Sequence, residues 1–198
     1  GLTDLQAFGG EIDTPNMDTL ANEGMMFTNY HTTSECAPSR AMLLTGMDNH
    51  NTGLPMIPEV LPWKYHDTPG YEGYLRDDAL TIAEMLKPAG YKTYMTGKWH
   101  LAFGGRETAA LPHNRGFDKT FILDATGGNN FNHHSYLPYY SESPWFKNGQ
   151  ETELPEDFYS SEFFVDQMIE FIDEDITVDA PFFSYVSFQA QHIPLQAS

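Results

Sequence analysis

Apolar side chains recur at helical spacing in three places along the chain, and each is followed by a short stretch with strand character. Thr14-Pro15 ahead of Met17, Leu20 and Ala21 predicts a helix with Thr14 as N-cap, proline at the first helical position and an end near Gly24; MMFTNYHT (25–32) then reads as a strand. Thr81-Ile82-Ala83-Glu84 has the form of a capping box. It opens a second helix with Ile82, Ala83 and Leu86 inward, ending around Pro88 to Gly90, and YKTYMTG (91–97) follows as a strand. A third helix starts near Ser160 or Ser161, with Phe164, Val165, Met168, Ile169 and Ile172 at helical spacing, before the apolar strand FFSYVSF (182–188). Helix then strand, repeated in this way, predicts an α/β fold with substantial parallel content. Two stretches, 47–76 and 102–158, are rich in Gly, Pro, Asn and Tyr and read as long loops, which in a compact domain are more often site-building than idle.

Composition narrows the class. The 198 residues are 40% hydrophobic and 14% aromatic, enough for one real core. Nothing approaches the roughly 18 consecutive apolar residues of a membrane span, and GLTDLQAFGGEID lacks the basic-then-apolar pattern of a signal peptide. With 10 basic against 28 acidic residues the formal charge is −18, which argues against nucleic acid as a partner. An anionic substrate would need a few cations gathered locally. The single cysteine excludes an intramolecular disulfide and a cysteine-based zinc cluster.

That cysteine opens CAPSRAMLLTG (36–46). A lone cysteine is ordinarily a small buried hydrophobe. Here the pattern Cys-x-Pro-Ser-Arg-x-x-x-x-Thr-Gly recurs by chance in such a chain with odds on the order of one in a hundred thousand at average residue usage. It resembles the signature of the type I sulfatases, the formylglycine-dependent enzymes of the alkaline phosphatase superfamily, in which the motif cysteine is oxidised to Cα-formylglycine by a maturation enzyme. Gly90-Tyr-Lys-Thr-Tyr-Met-Thr-Gly-Lys-Trp-His100 is similar to the family's second signature, with Thr96 where a small apolar residue or Ser is more usual, and His192 in VSFQAQHIPLQ matches its histidine-x-proline position. DTPNMDTLANEGMMFTNYHT, PGYEGYL, RGFDKTF and NGQETELPEDFYSSEFF extend the likeness to the bacterial arylsulfatase branch along nearly the whole chain.

The resemblance implies an alkaline phosphatase-like α/β fold with a mixed, largely parallel sheet flanked by helices. It implies a sulfuric ester hydrolase that cleaves sulfate monoesters through a formylglycine hydrate and a sulfo-enzyme intermediate. One hydroxyl on the aldehyde carbon attacks sulfur and the other later expels sulfate, a self-regenerating nucleophile that serine or a thiolate cannot supply. Pro38 suits the first turn of a helix, so residue 36 belongs at a helix N-terminus, where free N–H groups favour an anion, with Arg40 one turn in. By resemblance Arg40 holds the hydrated aldehyde, Lys98 contacts it and the sulfate, His100 takes the proton from the second hydroxyl, and His192 is general acid to the leaving oxygen. His31, His50, His66, His113, His133 and His134 show no metal-ligand spacing and read as structural or surface residues, and the aromatics from Phe131 to Phe146 as loop packing or a substrate entrance.

Family members also bind calcium through the formylglycine, an early Asp-Asp pair and a later Asp-Asn pair. Of these ligands only Cys36 is present; Asp77-Asp78, the one adjacent aspartate pair, precedes a helix and reads as surface charge near its N-terminus. The expectation is a partial catalytic domain over 1–198 that lacks the first strand and the C-terminal part, inactive by itself and without tight calcium binding. In the parent protein the expected partners are calcium, an aryl sulfate or sulfated carbohydrate, and the maturation enzyme, in the periplasm or outside the cell. Alternatives are a phosphonate monoester or phosphodiester hydrolase of the same superfamily, or a non-catalytic binding homologue.

Overall fold

The computed structural model describes residues 2–65, 68–135, 137–176 and 179–197; His66 lies outside them. The chain divides into two compact units, Gly1–Thr32 and Thr33–Ser198. In the first, helix α1 spans Pro15–Glu23 as the Thr14-Pro15 start predicts. The Thr14 hydroxyl does not cap it. Instead Thr14 accepts from the Gln6 amide at 3.1 Å and donates to Asp18 at 3.4 Å. Met17 and Leu20, expected inward, are exposed, and so are Met25, Met26, Phe27 and Tyr30 of the expected strand 25–32, which is not a strand. An apolar run becomes a strand only when its N–H and C=O groups find a neighbour, and this run has no ladder partner among the described residues.

The second unit is a five-stranded sheet in the order β4-β3-β2-β1-β5, where β1 is Lys92–Lys98, β2 Lys119–Leu123, β3 Trp145–Lys147, β4 Gln150–Glu151 and β5 Phe182–Ser187. The three longest strands, β2, β1 and β5, run parallel, and β3 and β4 extend the sheet antiparallel. Alternation along β1 sorts its side chains onto two cores. Met95 joins Ile122, Phe183 and Tyr185 against α2 (Cys36–Thr45) and α3 (Ile82–Leu86), while Tyr94 joins Phe121, Leu123 and Val186 against α4 (Ser160–Glu174). Helices therefore cover the sheet on both faces.

The capping box of α3 forms as expected, Thr81 and Glu84 each accepting the other's backbone N–H. Helix α4 forms as predicted, but the sheet covers only part of its apolar spacing. Phe164, Met168 and Phe171 are buried, whereas Val165 and Ile169 are 40% and 51% exposed. The helix carries two adjacent apolar stripes, and only packing against β1 and β2 selects one. Strands β2, β3 and β4 fall inside the stretch read as irregular. Asn148-Gly149 between β3 and β4 has positive φ at both residues, the hairpin turn that an Asn-Gly pair favours.

Candidate active site

In an open α/β sheet, ligands bind beyond the carboxyl ends of the parallel strands. Lys98 ends β1 and leads to His100, β2 leads to Asp124 and Thr126, and β5 ends at Ser187 on the way to His192. The N-terminus of α2 arrives at the same edge. Cys36 is its first residue, Pro38 lies in its first turn, and Gly46 closes it at φ +69°. Arg40, one turn in, ties the helix to the sheet by donating from Nη1 to the Lys98 carbonyl at 2.7 Å and to the Ser187 hydroxyl. Gly97 permits this junction: its φ is +100°, and a Cβ would stand 2.1 Å from the Ser187 carbonyl oxygen.

Cys36 and His100, 64 positions apart, meet with Sγ 3.2 Å from Nδ1. The far edge of the ring faces a buried carboxylate, with Nε2 at 2.9 Å and 3.1 Å from the two oxygens of Glu59 and 3.3 Å from the Thr126 hydroxyl. Glu59 is held in turn by the Thr126 amide at 3.0 Å and the Tyr140 hydroxyl at 3.1 Å. Lys98, only 2% exposed, donates to the Thr126 carbonyl. Such burial is tolerated because the ammonium keeps hydrogen-bond and charge partners.

The charges act on one another. Burial pushes the Cys36 thiol up, but the hydrogen bond with His100 and then the charges of His100, Lys98 and Arg40 outweigh it and bring the thiol from 9.0 down to about 6. Burial likewise pushes Glu59 up; His100, by hydrogen bond and by charge, and Thr126 bring it down to about 2. Lys98 is lowered to about 8 by burial, with Cys36 opposing. In His100, burial is overcome by the hydrogen bonds to Cys36 and Glu59, and its pKa is raised. Arg40 keeps Nε buried with no partner among the described residues, a donor of the kind a bound anion completes.

A second buried carboxylate shapes the backbone here. Asp124 accepts from the amides of Leu101, Ala102 and Gly105 at 3.0, 3.2 and 2.7 Å, fixing the loop after β1. Within that loop His100 and Phe103 adopt left-handed φ values of +63° and +53°. Positive φ at non-glycine residues costs on the order of 1 kcal/mol or more each, and the Asp124 hydrogen bonds offset it. Burial raises the Asp124 carboxyl despite these donors.

His192 is half-buried after β5 and donates from Nδ1 to the Ile193 carbonyl at 2.7 Å. Its pKa is lowered by burial and by the charges of Lys98, His100 and Arg40, which puts it in electrostatic reach of the cluster. The other described histidines lie elsewhere: His31 pairs with Asn29, His50 with Asp48 and His133 with Glu153, and the ring of His113 lies against Gly149. Asp77 and Asp78 are exposed, Asp78 paired with Arg76. Phe131 stacks on Tyr159 at 5.0 Å, and Trp145 and Phe146 are core residues. No group of three or more His, Cys, Asp or Glu among the described residues suits a metal ion, and the side chains around Cys36 are cations, so these residues do not fit calcium.

Sequence reasoning missed Glu59, Asp124, Thr126, Tyr140 and Ser187. Asp124 carried a signal, a carboxylate just past an apolar run; Glu59 carried none beyond its place in a long loop. The family model described as Sulfatase matches residues 1–198. An uncharacterized sulfatase of Schizosaccharomyces pombe and an arylsulfatase of Klebsiella aerogenes are each 39% identical over 100% of this chain, which spans 37% and 42% of their lengths. Ps i-CgsB, crystallised in complex with k-i-k-neocarrahexaose, superposes with a TM-score of 0.74 at 28% identity, over 100% of this chain and 44% of its own. The mixed, alkaline phosphatase-like α/β fold is thereby borne out.

Proposed function

The chain belongs to the sulfatase family, and on that premise we propose that it is the part of a sulfuric ester hydrolase that carries the nucleophile, acting on an aryl sulfate or a sulfated carbohydrate. The observation that carries the reading is Cys36 at the start of α2, with Sγ 3.2 Å from His100 Nδ1 and with Arg40 and Lys98 beside it. In a protein of net charge −18, these cations reverse the field where a sulfate must enter. The k-i-k-neocarrahexaose bound to Ps i-CgsB favours a carbohydrate among the two substrate classes.

Residue 36, as formylglycine, supplies a carbon bearing two hydroxyls. Around it, Lys98 neutralises sulfate oxygens and Arg40, one turn into α2, holds the hydroxyls. His100 accepts a proton at Nδ1. His192 gives one to the leaving oxygen. General acid and base groups placed in this way each contribute about 10²–10⁴-fold. Calcium belongs to the full-length protein by family; no step is assigned to it here. The maturation enzyme is the second expected partner, and a periplasmic or secreted location follows family habit. No helix among the described residues is long and apolar enough to cross a membrane.

The test uses the full-length protein made alongside a maturation enzyme. Peptide mass spectrometry of the tryptic fragment ending at Arg40 is expected to show the aldehyde, and nitrophenyl sulfate to turn over faster than nitrophenyl phosphate esters. Active enzyme carrying only the unmodified thiol would overturn the nucleophile, and preference for the phosphate esters would overturn the substrate class.

A further inference from the structure

Glu59 lies in no motif, 41 positions before His100 in the chain, yet its side chain is 1% exposed and directed at the imidazole. We infer that Glu59 is a positioning residue that holds neutral His100 in the tautomer with its proton on Nε2, so that Nδ1 presents a lone pair to residue 36. This inference takes its chemical meaning from the proposed sulfatase reading.

A carboxylate only accepts, so the hydrogen between Glu59 and the ring belongs to Nε2. Glu59 has no freedom to answer differently: Oε1 accepts from the Thr126 amide at 3.0 Å and the Tyr140 hydroxyl at 3.1 Å, and both oxygens face Nε2, Oε2 at 2.9 Å and Oε1 at 3.1 Å. The ring has none either. Turned over about its Cβ–Cγ bond, it would present a carbon to each partner, and its backbone is fixed by the amides of Leu101, Ala102 and Gly105 on Asp124. With Nε2 committed, Nδ1 at 3.2 Å is the atom that meets residue 36. A proton leaving a hydroxyl there passes to the Nδ1 lone pair, and the imidazolium so formed faces the buried Glu59 charge. A histidine held in the wrong tautomer loses up to about 10⁴-fold in rate where its role is to accept a proton.

The experiment reads the tautomer directly. In full-length protein carrying Cys36→Ser, which keeps a hydroxyl and removes the ionising thiol, ¹⁵N-labelled histidine is observed by NMR at a pH where His100 is neutral. The proton is expected on Nε2. In Glu59→Gln the amide oxygen stays with Thr126 and Tyr140, its NH₂ group turns to the ring, and the proton is expected to move to Nδ1; Glu59→Asp, still an acceptor, keeps it on Nε2. In converted enzyme Glu59→Gln is expected to lose about 10²–10⁴-fold in kcat with KM changed less than about threefold. A proton on Nδ1 in the parent, or on Nε2 in folded Glu59→Gln, overturns the inference, and the first of these does so even if Glu59→Gln fails to fold. Either result leaves the sulfatase reading standing, whereas missing formylglycine or missing sulfate ester turnover overturns that reading without touching the tautomer.

Discussion

Two histidines in one cationic field respond in opposite directions. His100 is fully buried, holds a left-handed backbone, and has both ring nitrogens engaged; its pKa is raised because Cys36 and Glu59 outweigh burial. His192 is half-buried on the segment after β5, and burial with the charges of Lys98, His100 and Arg40 lowers its pKa. The residues around them differ in kind. Two buried carboxylates, Glu59 and Asp124, build the first environment. The second is built by a tether: Asn130 donates to Gln196 and to the Pro194 carbonyl and accepts from Ser160 at the start of α4. Under the proposed roles, the half of the site around His100 is organised in advance, and the half around His192 is organised by a loop whose electrostatics an incoming anion will change.

The largest effect falls on the group both histidines serve. Full-length Cys36→Ala, which has no cysteine to convert, is expected to have a kcat about 10⁴-fold or more below that of the converted enzyme, read with nitrophenyl sulfate; retained turnover would mean that neither histidine faces the nucleophile. A test confined to the His100 side uses protein made without the maturation enzyme. The folded thiol lies at about 6 against 9.0, a depressed acid. The fold therefore favours the thiolate: that stabilisation is complete above 9.0 and is lost as the pH falls through about 6. Alkylation of Cys36 by iodoacetamide is expected to follow a midpoint near 6, and a midpoint near 9.0 would remove the electrostatic contrast.

On the other side, His192→Ala is expected to cost about 10²-fold or more for sulfates with poor, alkyl-type leaving groups and distinctly less for nitrophenyl sulfate, since a good leaving group needs no proton. Equal losses for both would remove the general acid role. The smallest effect separates the two environments by stability. Asp124→Asn sets an amide NH₂ against backbone donors and is expected to cost about 2 kcal/mol in urea unfolding. It should lower kcat through the His100 loop while leaving the leaving-group dependence unchanged. A change in that dependence would mean that the two halves are coupled.

Much of this was legible in the chain because the signals are local. A capping box names the first turn of α3 whatever packs on it, Pro38 places residue 36 at the start of α2, and runs of aromatic and β-branched residues mark β1 and β5. Cys36, Arg40, Lys98, His100 and His192 could be singled out as candidates because short motifs hold those residue types in a set order. Two further signals are equally local, the Asn-Gly turn between β3 and β4 and the carboxylate that follows β2.

What the sequence by itself determined, then, is which short motifs offer candidate residues and which segments are regular, because motif order is read directly and backbone sterics, capping and periodicity act within a few residues. Only the tertiary structure decided the rest. Packing against the sheet chose which stripe of α4 is buried, and the absence of a ladder partner among the described residues left 25–32 without strand structure. Above all, it brought Glu59 behind His100 and Asp124 beneath its loop. A carboxylate acquires such a role only when parallel strands deliver distant loops to one edge and burial strips the water that would otherwise screen its charge.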